Sequence, residues 1–172
     1  NIIDLNLGNI FFLDKKNINQ IINSNTLIHD YEIFKRYPHS IDINVKRTKF
    51  LARIKDNKNF LLIGSNGKLS SIKHKDKSKY LPFIFGKPEV DQFLKFKKKI
   101  DESKFKYKDI NNLFFFSSER WDIQLKNDLL IKLPSKNIKK TLDLVSDFLQ
   151  ENDNNSIKIV DARIQNQIIL ND

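Results

Sequence analysis

Apolar residues recur at every second position in some stretches of the chain and at every third or fourth in others. The first period marks a half-buried strand, the second an amphipathic helix. Ile18, Ile21 and Ile22 have helical spacing behind Asp14, a residue suited to N-capping, so residues 15–23 read as a helix. Ahead of it, Gly8-Asn9 signals a turn. Residues 27–36 are β-prone around Tyr31, Ile33 and Phe34, and Tyr37-Pro38-His39 interrupts them because proline cannot donate to a ladder. Residues 40–46 alternate at Ile41, Ile43 and Val45. Helix and hairpin together make a small α+β module.

The texture changes after a polar connector at residues 47–50. Residues 51–54, 59–63 and 68–72 read as short strands separated by the turn signals Asp56-Asn57 and Asn66-Gly67. The lysine-rich run 73–79 is a solvated loop. Residues 81–86, Leu-Pro-Phe-Ile-Phe-Gly, form an apolar turn, and Pro88 opens a helix to about Asp101 with Val90, Phe93, Leu94 and Ile100 on its buried side. The longest β segment, residues 110–117, carries three consecutive phenylalanines. Residues 120–125 alternate at Trp121, Ile123 and Leu125, residues 126–128 turn, and residues 129–133 return. Pro134-Ser135 opens a last helix with Ile138, Leu142, Val145 and Leu149 on one face.

After a polar loop at 151–155 come two apolar runs around a polar break. Residues 157–164 should pair inside a sheet, Gln165-Asn166-Gln167 should turn, and residues 168–170 should form an open edge. Unpaired N–H and C=O groups on such an edge invite a partner's strand. The expected fold class is α+β: a small α+β module at residues 1–50, then a mainly antiparallel β-sheet domain with two helices at residues 51–172. The short connector should hold the two close.

Composition refines this picture. A chain of 172 residues, 40% apolar with 14 Phe, has material for a core and buries roughly 70% of its unfolded surface. No apolar run approaches the ~18 residues of a bilayer span. No basic-then-apolar leader opens the chain, and it begins on Asn1 rather than Met, so further residues are expected ahead of it. A net charge of +10 points towards nucleic acid or a membrane surface. Yet 26 Lys stand against 5 Arg, beside 20 Asn and 24 Ile, the signature of A/T-rich coding. Nucleic-acid surfaces recruit arginine for bidentate contacts, so no nucleic-acid partner is expected. The absence of Cys excludes disulfides, thiolate metal sites and cysteine nucleophiles.

Chemistry-bearing patterns are scarce. His29, His39 and His74 are isolated, without a second ligand at metal spacing. Four glycines build no phosphate loop, and Ser117-Ser118-Glu119 lacks the flanking glycines of a nucleophile elbow. Asp122 and Asp161 fall in strands without a recognisable carboxylate pair. The weight moves to a non-enzymatic binding or scaffolding role with no metal and no cofactor. Trp121 reads as a core anchor. Phe114, Phe115 and Phe116 cannot all face one way in a strand. Arg163, inside an apolar run, is either solvent-facing or carboxylate-paired, or else a contact at the edge of a recognition surface.

Several of these residues, in this order, resemble the FtsQ/DivIB family of bacterial cell-division proteins. The first module looks like a POTRA domain through Ile18-x-x-Ile21 and the hairpin Tyr37-Pro38-x-Ser40-Ile41-x-Ile43-x-Val45. The family has an acidic-Arg pair, a Pro and an Ala after it; here stand Lys46-Arg47, no Pro, and Ala52-Arg53. The second module resembles the FtsQ β domain through Leu81-Pro82 with Gly86, Arg120-Trp121-x-Ile123-x-Leu125 with Asn127, Leu133-Pro134, and Val160-Asp161-x-Arg163. The resemblance implies a non-enzymatic, single-pass inner-membrane protein with this part on the periplasmic side at the division septum. Its cytoplasmic tail, membrane helix, first POTRA strand and most of the first POTRA helix would precede Asn1. It implies partners too: the FtsB–FtsL pair, with an FtsB segment adding a strand to the last strand here, and other division proteins at the POTRA module. Carried over, the partner contacts are Arg163, Ile164, Asn166, Gln167, Ile168 and Ile169. Ile164 stands where an aromatic is frequent, and Ser118 where some members have a basic contact, with Arg120 as a nearby substitute. The chain's early stop would place its end within the docking strand and weaken partner affinity. Two other classes compete: another POTRA-bearing protein of outer-membrane assembly or secretion, and a basic nucleic-acid-binding domain with steep salt dependence.

Overall fold

The computed structural model describes residues 15–36, 40–56, 59–71, 80–152 and 157–171. Asp14, Gly8-Asn9, Tyr37-Pro38-His39, His74, the 73–79 run and Asn57 lie outside these residues. The first unit is helix α1 (Lys15–Ser24) followed by strands β1 (Ile28–Arg36) and β2 (Ser40–Arg47), which pair antiparallel as a two-stranded sheet. Ile22 is its buried anchor, and the Tyr31 hydroxyl donates to Asn19 Oδ1 at 2.7 Å, tying hairpin to helix.

Thr48 and Lys49 then carry the chain into a nine-stranded sheet. Its strands are β3 (Phe50–Asp56), β4 (Asn59–Gly64), β5 (Leu69–Ser71), β6 (Phe83–Phe85), β7 (Ile110–Phe115), β8 (Trp121–Leu125), β9 (Leu130–Lys132), β10 (Ile159–Asp161) and β11 (Ile169–Asn171). The spatial order is β11-β10-β9-β8-β7-β6-β3-β4-β5. Five of its pairings are antiparallel; β3–β6, β6–β7 and β9–β10 are parallel. Helix α2 (Val90–Asp101) connects β6 to β7, and α3 (Ile138–Glu151) connects β9 to β10. These helical crossovers are what parallel neighbours require. The fold is α+β with a mostly antiparallel sheet.

Several local readings change; at the C-terminal end only residues 159–161 of the expected 157–164 form a strand, and Ile164 lies in the bend that follows. Residues 83–85 are a strand rather than a turn: β6 inserts between β3 and β7, and Gly86 at φ 99° ends it. Helix α2 starts two residues beyond Pro88, behind Glu89, whose N–H is accepted by Gln92 Oε1 at 2.9 Å. Helix α3 starts at Ile138 after Asn137 turns left-handed at φ 57°, so Pro134-Ser135 belongs to a loop.

Both long helices lie on the same sheet face, because their buried residues and that face form one core cluster. Phe93, Phe96 and Ile100 of α2 and Ile138, Leu142 and Val145 of α3 meet Ile84, Leu113, Ile123, Ile131 and Val160. The latter five are register partners in adjacent strands, one unbroken row across β6 to β10. Trp121 stacks on Phe96 within this layer, and Phe115 tilts against it at 4.8 Å. Strand alternation sends Phe114 to the opposite face, where it stacks on Phe85 at 5.0 Å. Phe116 leaves the strand and takes the Arg120 guanidinium over its ring at 4.4 Å. The three consecutive rings therefore have three separate environments.

Candidate functional site

The terminal hairpin is built from β10 and β11. Val160 is fully buried on the helix face, and Ala162 beyond the strand is buried too. Asn166 reverses the chain at φ 59°, and the Gln167 N–H donates to the Ile164 carbonyl at 3.2 Å. The polar break thus does what its composition suggests: Asn tolerates the left-handed conformation better than most residues.

Hydrogen-bond alternation shows which groups of β11 are free to pair. The Ala162 N–H donates to the Lys132 carbonyl at 3.0 Å, and the Leu130 N–H donates to the Lys158 carbonyl at 2.9 Å. Val160, between these two bonds, therefore turns its backbone groups towards β9, and Ile159 and Asp161 turn theirs towards β11, where the Lys158 N–H also donates to the Asn171 carbonyl at 3.2 Å. With Asp161 opposite Ile169 and Ile159 opposite Asn171, the paired groups of β11 belong to Ile169 and Asn171. The N–H and C=O of Leu170 point outward along the edge. The Leu170 side chain lies opposite Val160, at the end of the buried row on the helix face, and is 42% exposed. Ile169 on the other face is 46% exposed, and Ile164 before the turn is 52% exposed. An apolar row and an outward backbone register end together at this edge.

Arg163 is held from below. Its Nε donates to both Asp161 carboxylate oxygens, at 2.8 and 2.9 Å, and Nη2 donates to Oδ2 at 2.5 Å. The Arg163 N–H adds a fourth bond to Asp161 Oδ1 at 3.1 Å. The Arg163 side-chain hydrogen bonds are the main reason that the Asp161 carboxyl is held below its ordinary range. Arg163 is thus both carboxylate-paired and half-exposed, with donor capacity left over towards solvent.

The sequence-predicted contacts divide on this geometry. Arg163, Ile164, Asn166, Gln167 and Ile169 are exposed on one hairpin. Ile168 is half-buried and packs against the core, so it supports the hairpin from within. Arg120 is elsewhere: it precedes β8, three strands from β11, about 14 Å at 4.7–4.9 Å per strand. Its Nη2 meets Asp122 Oδ2 at 3.3 Å, and its Nε is buried without a hydrogen-bond partner. Asp122 is itself buried and accepts the Leu133 N–H at 3.3 Å. Burial raises its carboxyl above the usual range, with Arg120 opposing.

Sequence reasoning left Lys132 unmentioned and gave Asp122 and Asp161 no role. The register makes Asp122, Lys132 and Asp161 cross-strand neighbours on the face away from the helices. With Arg120 and Arg163 at its ends, this is a row of alternating charge leading to the hairpin. Strand parity relative to Trp121, Ile131 and Val160 was the available signal.

Among the described residues no cluster of three or more His, Asp or Glu is placed to hold a metal ion. No helix among them is long and apolar enough to cross a membrane. His29 meets Ser65 Oγ through Nδ1 at 3.3 Å, a contact between the two units.

The family model described as "Cell division protein FtsQ/DivIB, C-terminal" matches residues 52–163. A curated relative, cell division protein FtsQ of Bradyrhizobium diazoefficiens, is 23% identical over 169 residues, covering 95% of this chain and 48% of the relative. The chain thus spans about half the length of that relative. A solved structure, the major extracytoplasmic domain of the trans isomer of the cell division protein DivIB from Geobacillus stearothermophilus, aligns with a TM-score of 0.41 and 12% identity. That alignment covers 63% of this chain and 98% of the other. The chain belongs to the FtsQ/DivIB family of cell-division proteins.

Proposed function

We propose that this chain is a non-enzymatic scaffold of the division machinery that captures the FtsB–FtsL pair by strand addition at β11. The observation that carries the reading is Leu170: its backbone groups point outward while its side chain ends the apolar row begun at Ile84. A partner strand laid against β11 would gain main-chain hydrogen bonds from the edge and continue the row with an apolar residue of its own. Ile164 and Ile169 supply apolar contact beside it. Arg163, pre-ordered by Asp161, supplies a directed cation, and Asn166 and Gln167 a polar rim. Ordering by Asp161 lowers the entropy lost when Arg163 engages a partner.

In this reading the α1–β1–β2 unit within residues 1–50 is the visible part of a POTRA module, and residues 51–172 are the β domain. The POTRA module serves other division proteins. The whole protein is anchored in the inner membrane by a single helix ahead of this chain, with the described part on the periplasmic side at the septum. Arg120 takes no direct part in strand docking.

The test is binding of a soluble FtsB–FtsL pair to Leu170→Pro and Ile164→Glu variants. Proline removes the outward N–H and leaves the inner ladder intact; glutamate charges the apolar rim. Both should lose at least tenfold in affinity with an unchanged far-ultraviolet circular dichroism spectrum. Undiminished binding by both would overturn the assignment. Ile168 is a poor choice for this test because it packs inward.

A further inference from the structure

The two units are joined twice. The covalent join is the two-residue break at Thr48 and Lys49 between β2 and β3. Alone it would act as a hinge, since each residue carries two soft backbone dihedrals. The second join is made by the turn between β4 and β5, and it reaches back across the gap in sequence. Asn66 Nδ2 donates to the Ile28 carbonyl at 2.8 Å and to the Thr26 carbonyl at 3.1 Å. Both acceptors lie at the corner between α1 and β1. Lys68 Nζ reaches the carbonyls of Asn23 and Asn25, where that helix ends. Cations are favoured at a helix C-terminus.

The hinge residues are caught in the same network. The Ser65 N–H donates to the Lys49 carbonyl at 2.8 Å, and the Lys49 N–H to Ser65 Oγ at 3.2 Å. The Thr48 N–H donates to the Leu27 carbonyl at 2.9 Å, and its hydroxyl meets Ser65 Oγ at 3.3 Å. The turn is shaped to allow this. Gly67 takes φ 75°, and the Lys68 N–H donates to Asn66 Oδ1 at 3.1 Å, which aims the Asn66 amide at the other unit. Gly64 leaves the necessary room, since a Cβ there would lie 2.5 Å from Asn66 Oδ1 and 2.9 Å from Thr48 Oγ1.

We propose that the β4–β5 turn is a clasp that fixes the angle between the α1–β1–β2 unit and the nine-stranded sheet, with Asn66 as its positioning residue. The clasp converts a two-residue hinge into a joint with two attachment points. Any partner surface on the first unit is then held in a set orientation relative to the β11 edge. The clasp holds without any partner bound.

The chain has no cysteine, so two spin labels can be placed cleanly at Glu32→Cys on β1 and Lys140→Cys on α3, both exposed positions. Pulsed dipolar spectroscopy of the full chain should give one narrow distance distribution. Asn66→Asp is the informative variant. It keeps the oxygen that accepts the Lys68 N–H, and with it the turn, but loses both donors and sets a carboxylate against two carbonyls. Its distribution should broaden at least twofold, or shift, while Trp121 emission from the sheet core stays unchanged. Lys68→Ala, which leaves Asn66 in place, should broaden it less and serves as the readout if the first variant fails to fold. A distribution as narrow as the parent's in a folded Asn66→Asp protein, or in Lys68→Ala if that is the variant read, would overturn the proposal.

Discussion

Trp121 and Phe96 lie face to face, with ring centroids 4.6 Å apart and planes within 4°. This contact joins helix α2 to the interior of the sheet, since β8 has three strands on one side and five on the other, and the helix has no other aromatic stack of this kind among the described residues. Both side chains are almost wholly buried. Phe96→Ala removes the ring and leaves a cavity against the indole, a change that costs ~3–5 kcal/mol in well-packed cores. Denaturant unfolding followed by Trp121 fluorescence should show a lower midpoint and, in the native baseline, emission shifted to longer wavelength.

Asp122 makes the opposite use of burial. Desolvation raises its carboxyl, and the Arg120 charge and Leu133 N–H only partly offset this. The folded state therefore holds the proton more tightly than the unfolded state does. Above the pH where aspartate ordinarily titrates, the folded chain binds more protons, so stability falls as pH rises. Asp122→Asn keeps an oxygen for the Leu133 N–H and removes the titration. The stability of Asp122→Asn relative to the parent should improve as pH rises above the ordinary aspartate range and level off once the folded-state carboxyl has ionised, whatever its starting offset from the loss of Arg120's partner. A difference that stays flat with pH would show that the Asp122 carboxyl is not raised.

The helices and most strands were legible in the sequence because their periods are local. Ile138, Leu142 and Val145 repeat on the helical period and are buried; Trp121, Ile123 and Leu125 alternate and are buried. β6 was not legible. Residues 83–85 are three apolar residues between Pro82 and Gly86, and only β3 and β7, about 30 residues away on either side, make them a strand. The clasp was invisible for the same reason: Asn66-Gly67 announces a turn, but its acceptors at Thr26 and Ile28 lie 40 and 38 residues earlier. The open edge was legible as an apolar run at the end of the chain. Its outward register was not, because that depends on which residues of β10 are committed to β9. Arg120 entered the expected contacts as a nearby substitute for Ser118, whereas sheet order sets it three strands from the hairpin.

The Asp161–Arg163 pair gives a local prediction. Asp161 is held below its ordinary range chiefly by the Arg163 side chain. A depressed carboxyl contributes stability above the unfolded value and loses it as pH falls through the folded value. Arg163→Ala should therefore move the Asp161 carboxyl titration, followed by carbon-detected NMR, to higher pH and flatten the acid limb of the stability profile. Arg163→Lys should recover only part of the shift, because a single ammonium cannot reproduce the bidentate fork.

Gly86 gives the sharpest backbone prediction. It sits at φ 99° where β6 ends, a region that side chains rarely adopt, and a Cβ there would lie 2.3 Å from the Phe115 carbonyl oxygen and 3.1 Å from its carbon. The obstacle is main chain of the neighbouring strand, so no rotamer change relieves it. Gly→Ala is mildly stabilising where alanine fits, by ~0.4–1 kcal/mol through the unfolded state, and destabilising by more than that where φ is positive. Gly86→Ala should accordingly lower stability by at least ~1 kcal/mol, with the β6–β7 pairing giving way first. Hydrogen exchange should locate the loss: backbone amides of residues 83–85 and 112–114 should lose protection relative to those of β8 and β9. Uniform loss across the sheet would mean instead that the strain spreads through the whole core.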